Sequence, residues 1–134
     1  NTFRVVLGPQ DFCFDSGELD RLVSADWQLT TRMDRMGLRL SGPALTHKTS
    51  ADILSDGIVK GAVQVPGDGQ PIILMADHQT TGGYTKIATV ISADLAKLTR
   101  LPPHRMIRFT VVSQEEAEAI ANAKARLLSK GLLG

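Results

Sequence analysis

Ten residues, Asp77 to Lys86, hold a carboxylate (Asp77), an imidazole (His78), an amide (Gln79), hydroxyls (Thr80, Thr81), adjacent glycines (Gly82, Gly83), a phenol (Tyr84) and an ammonium (Lys86). Glycines let backbone N–H groups approach a carboxylate or phosphate, while Thr80, Thr81 and Lys86 add donors and positive charge. A hairpin turn with positive φ at Gly82-Gly83 would use the same residues, and residue types alone leave both readings open. Arg32, Asp34 and Arg35 form a second candidate, at a charged turn. Two guanidiniums beside a carboxylate can clamp an anion bidentately, or pin the turn as a structural ion pair. His47, His78 and His104 have no i,i+4 or H-x-H spacing, so no metal site is expected. Asp77 beside His78 invites a nucleophilic triad. Adjacent strand residues face opposite ways, however, so Asp77 would not orient His78 directly. Cys13, the only cysteine, has no neighbouring base and reads as a small apolar residue. No residue is assigned a catalytic role on these grounds.

The elements around these groups read as strands joined by turns. Pro71–Ala76 and Ile87–Ile91 are short apolar runs of the kind found in buried strands, with the polar segment as the loop between them. Thr2–Leu7, Trp27–Thr31, Leu38–Leu40, Ile58–Val65 and Met106–Val112 are further strands, the last with Ile107, Phe109 and Val111 on one face. Asp15 with Glu18 marks a helix start ahead of Leu19, Leu22 and Val23, and Ser113 with Glu116 caps a final helix of about four turns. Ser92–Arg100 suits one or two helical turns, and Pro43–Asp56 is polar and irregular. Many short strands against two helices predict a mainly β domain, largely antiparallel or closed into a barrel.

Composition excludes several classes. The 134 residues fit one domain, and no apolar run approaches the roughly 18 residues of a membrane span. Fifteen basic against fourteen acidic residues give a net charge of +1, and aromatics are 4%, so neither nucleic acid nor a membrane surface is expected as a partner. One cysteine points to a cytoplasmic setting. The chain opens on Asn1 without an initiator Met or an export signal, and is expected to be a domain or cleavage product of a longer protein.

Several stretches share their wording with one family: Val5-to-Gln10 (VVLGPQ) followed by Phe14 and a short helix; Asp34-to-Leu40 (DRMGLRL); Ser55-Asp56-Gly57; Gly61-to-Pro66 (GAVQVP); Asp68-to-Pro71 (DGQP); and Ala76-Asp77 with Gln79-to-Tyr84 (QTTGGY). In these the chain resembles the allophanate hydrolase subunit 2 family, which includes the C-subunit of bacterial 5-oxoprolinase, the KipA-type proteins and one part of urea carboxylase. The matches run in order along nearly the whole chain and cover the C-terminal half of the usual family chain. The resemblance implies a cyclophilin-like closed β-barrel spanning residues 1–134 as a single domain. It implies a subunit 1 (KipI-like) partner, a third subunit, and ATP-dependent ring opening of the small molecule 5-oxoproline to glutamate. Its alternatives are carboxyl transfer from carboxybiotin to urea or a similar amide, and a KipA-type regulator that binds a KipI-like kinase inhibitor. ATP or biotin would enter through the complex, since the chain has no Walker-type motif of its own.

The same resemblance implies a substrate site lined by Arg32, Asp34, Arg35, Asp77, Gln79, Thr80, Thr81, Gly82, Gly83 and Tyr84. The arginines would hold the substrate carboxylate and the Gln-Thr-Thr segment the amide or carboxyl being transferred. Two positions depart from the family's wording. His78 stands where Arg or Ala is expected, which counts against an essential imidazole, and Thr85 follows Tyr84 where Pro is usual, which implies a less rigid turn.

Overall fold

Phe3 and Val5, two residues apart, are buried, and so are Ile107 and Phe109, which shows apolar alternation pointing one face of each strand into a common interior. The computed structural model describes residues 1–33, 36–48, 52–57, 60–75 and 81–129. In chain order these form β1 (Thr2–Leu7), a 3-10 turn (Asp11–Cys13), α1 (Ser16–Ser24), β2 (Trp27–Met33), β3 (Gly37–Ser41), β4 (Asp52–Gly57), β5 (Ala62–Val65), β6 (Ile72–Leu74), β7 (Thr81–Val90), α2 (Ser92–Leu98), β8 (Met106–Val111) and α3 (Gln114–Ser129).

The order β1-β8-β2-β3-β6-β5-β7 closes on itself through pairing of β1 with β7, giving the expected barrel, of seven strands. β1 and β8 run parallel, with Phe3 opposite Phe109. The other pairings are antiparallel, Val5 meeting Val90 at the closure. β4 lies against the first residues of β7. Trp27 is fully buried and donates its indole N–H to the Leu22 carbonyl at 2.9 Å, tying α1 to the barrel. Leu45 is buried in the core and donates its N–H to the Gly69 carbonyl at 3.0 Å.

Several elements differ from the sequence expectation. Ser92–Leu98 is a complete third helix. The segment expected to be irregular contains β4, whose partner is supplied by β7. Val111 is 45% exposed, so the apolar face of β8 ends at Phe109. Asp15 caps no N–H with its side chain. Glu18 does not close a capping box and instead accepts from Thr46 N–H at 3.2 Å, holding the segment after β3. The Ser113–Glu116 box forms in both directions, at 3.0 and 3.4 Å. Ile58 and Ala76, expected inside strands, lie outside the described residues.

Candidate functional site on the Tyr84–Lys86 face

β7 begins at Thr81, so six of the ten residues read as a loop are strand. Gly82 sits opposite Asp56, and among the described residues the glycines with positive φ are Gly8, Gly61 and Gly69. Gly82-Gly83 is therefore not a hairpin apex. Of the expected site residues, Asp34, Arg35, Asp77, Gln79 and Thr80 lie outside the described residues, while Arg32, Thr81, Gly82, Gly83 and Tyr84 lie within them. The flanks of the two candidate segments meet: Met75, just after β6, donates its N–H to the Met36 carbonyl at 3.0 Å.

Arg32 and Tyr84 are not brought together. They stand on β2 and β7, with β8 and β1 between these strands on one side of the ring and β3, β6 and β5 on the other, at least three strand spacings or roughly 14 Å. Arg32 is exposed, and its backbone N–H bonds to the Thr30 hydroxyl at 3.2 Å.

Around Tyr84 the register sets up a polar face. Val63 pairs with Ala88 but Gln64 with Lys86, so Ile87 is an extra, bulged residue on β7. Val63 and Val65 belong to the core. Gln64 between them turns to the opposite face, and its partner Lys86 turns with it. Tyr84, two residues before Lys86, shares that face. A phenol, an ammonium and an amide are thus neighbours. Tyr84 is 42% exposed, Gln64 8% and Lys86 2%.

Among the described residues, the Lys86 ammonium has no hydrogen-bond partner. Two nearby polar groups, Gln10 and Thr85, are engaged elsewhere. Gln10 grips the Lys86 backbone, donating its N–H to the Lys86 carbonyl at 2.9 Å while its amide oxygen accepts the Lys86 N–H at 3.0 Å. Thr85, on the inner face, has its hydroxyl 2.8 Å from His47 Nε2. The Pro-to-Thr departure therefore falls inside a paired strand (Thr85 opposite Val65) and not in a loosened turn.

The family model described as carboxyltransferase domain, subdomain A and B, matches residues 1–111. The chain belongs to that family. This carboxyltransferase domain is 44% identical over 117 residues to the C-subunit of 5-oxoprolinase from Escherichia coli (strain K12), covering 87% of the chain and 38% of the relative. It is 52% identical over 92 residues to the protein of the same name from Haemophilus influenzae, covering 69% of the chain and 30% of that relative. The chain thus spans about a third of the length of these curated relatives. Among solved structures, the K. lactis urea amidolyase superposes with a TM-score of 0.89 at 23% identity over 96% of the chain and 8% of the amidolyase, a likeness of fold.

Two further features of the carboxyltransferase domain stand apart from this face. Asp94, 1% exposed, accepts from Arg4 N–H, Nε and Nη2 at 2.8, 3.0 and 2.7 Å. Burial pushes the Asp94 carboxyl up, but hydrogen bonds and charge from Arg4, with Lys97, outweigh it and leave the carboxyl below its usual range. The same hydrogen bonding raises Arg4 against the opposing effect of burial. A groove of about 570 Å³ runs between β1, the end of β7 and α3, lined by Val6, Thr89, Ala117 and Ala121 among others, with none of the expected site residues.

Lys86 is a donor of its segment in the sequence, yet it stands, with Gln10 and Gln64, outside the expected site residues. The available signal was a lysine directly followed by the apolar run Ile87–Ile91, a place where a charge must be buried or functional.

Proposed function

We propose that this chain is part of the C-subunit of a 5-oxoprolinase-type enzyme, which opens the lactam ring of 5-oxoproline to glutamate at the cost of ATP. The lactam C–N bond breaks, and water supplies the hydroxyl of the new carboxyl group and a proton to the freed amine. Concurrent hydrolysis of ATP supplies the driving force. The observation that carries this reading is the 44% and 52% identity to two relatives of that name. Activity would need a subunit 1 (KipI-like) partner and a third subunit, with ATP entering through the complex. The setting would be cytoplasmic.

The substrate site would lie on the Tyr84–Lys86 face, with Gly83 and Tyr84 from the expected set on its strand. Asp77, Gln79 and Thr80 are proposed alongside them from the sequence pattern. A second reading, carboxyl transfer from carboxybiotin to an amide, is favoured by the family's own description and by the fold of the urea amidolyase. Urea carboxylase and amidolyase sequences are more distant relatives, at 26% identity.

The test is 5-oxoproline-dependent ATP hydrolysis by the intact protein containing this chain, mixed with its two candidate partner subunits. Turnover that requires all three is the expected result. A well-assembled complex without turnover would sink the reading. Carboxyl transfer in the presence of a biotin-carrier partner would then put the second reading in its place.

A further inference from the structure

Lys86 is charged chemistry in a place where charge is unfavourable. The residue is 2% exposed and, among the described residues, its ammonium meets no hydrogen-bond acceptor. A buried ammonium is retained when something pairs with it or when its reactivity is used. Gln10 and Thr85 do not answer that need. The Gln10 amide oxygen is taken by the Lys86 backbone N–H, and the Thr85 hydroxyl faces the other way with His47. Yet the face is not sealed, because Tyr84, the next residue on it, is 42% exposed. A small anion arriving there would meet a phenol first and a dry ammonium behind it. The four-carbon lysine stem can swing the charge to meet it.

The structure assigns to Lys86, we propose, the role of seating the carboxylate of 5-oxoproline, a role the sequence pattern had given to arginines. This rests on the 5-oxoprolinase reading above. 5-Oxoproline carries one carboxylate and an otherwise neutral lactam, so a single point cation matches its charge. Arg32, exposed on β2, is separated from the Tyr84 strand by β8 and β1 on one side of the ring and by β3, β6 and β5 on the other. Lys86 is a binding residue in this role, and the proposal gives it no part in breaking the lactam bond.

The experiment uses the intact protein assembled with its partner subunits and compares Lys86→Met and Lys86→Arg with wild type. Lys86→Met should raise KM for 5-oxoproline at least about 10-fold while kcat stays within about 3-fold, the signature of lost ground-state binding. Lys86→Arg should recover part of the KM, because the charge is kept. The thermal midpoint of Lys86→Met should equal or exceed that of wild type, since an unpaired buried charge is replaced by an apolar chain of similar length. Wild-type turnover with an unchanged KM in Lys86→Met overturns the assignment and leaves the enzyme reading standing. Failure of Lys86→Met to fold, or loss of the partner subunit from its complex, also overturns it: the ammonium would then be structural, or paired with a partner's carboxylate. A fall in kcat alone overturns it as well, by placing Lys86 in the chemistry. If wild-type complex does not turn over 5-oxoproline at all, both inferences fall together.

Discussion

Asp94 remains ionised while almost fully buried because Arg4 surrounds it with three donors, and that arrangement predicts a pH-dependent stability. The carboxyl is held below its unfolded value. Its contribution is therefore present in full above about pH 4 and is lost as pH falls through the lower, folded value. Asp94→Ala should cost about 1.5–3 kcal/mol at neutral pH, in the range of charge-assisted hydrogen bonds. Arg4, 35% exposed, can regain water, which keeps the cost from rising further. Urea unfolding of both proteins from pH 7 down to pH 2 checks it: the gap between them should narrow below about pH 4. A gap that stays constant with pH would mean that the carboxylate charge contributes nothing. Neither partner was legible beforehand, since Arg4 and Asp94 are ninety positions apart and only the fold makes them neighbours. Lys86 is the reverse case. Its identity and its apolar neighbours were visible in the sequence, but the bulge at Ile87, which leaves Lys86 facing away from the core while Ala88 and Val90 face into it, was not.

At the scale of elements, the stretch from Gly42 to Lys48 depends on close approaches that only small residues permit. A Cβ on Gly42 would lie 2.5 Å from the ring of Trp27, which is fully buried and held by its indole hydrogen bond. The Gln70 side chain fastens the same glycine, accepting from Gly42 N–H at 3.0 Å and donating to its carbonyl at 3.1 Å. Gly69 adopts φ +78°, and a Cβ there would meet the Leu45 backbone at 2.7 Å. Gly42→Ala should therefore destabilise by about 1–3 kcal/mol, the usual cost of overpacking a rigid site, read as a lower urea midpoint with an unchanged slope. A midpoint equal to wild type would show that Trp27 yields freely. The Asp68-to-Pro71 stretch, noticed as family wording, thus has a structural explanation in Gly69 and Gln70. Elements with a strong local signal were legible, among them the Ser113–Glu116 cap and the alternation of Ile107 and Phe109. The start of β7 was not. Its first residues are polar and glycine-rich, and they become strand because β4 provides backbone partners, which a local pattern cannot reveal.

For the molecule as a whole, closure of the barrel through β1 and β7 separates what is indispensable from what is appended. Seven short strands with turn residues between them left an antiparallel sheet or a barrel open, the family resemblance implied the barrel, and each strand of the closed ring pairs on both sides. α3 stands outside that ring and beyond residues 1–111, the extent of the family match. Its side chains from Gln114 to Leu127 are exposed or half-buried, with Ala117, Ile120 and Ala123 the better covered apolar ones. Half-burial of one isoleucine and two alanines is worth about 2 kcal/mol at most. Removal of residues 113–134 should accordingly leave a cooperative unfolding transition with a stability loss below about 2 kcal/mol, while opening one wall of the groove beside β1. Far-ultraviolet circular dichroism through a urea titration would show a sharp transition with less helical signal. A broad transition would mean that α3 closes the core, and that the barrel ring does not stand without it.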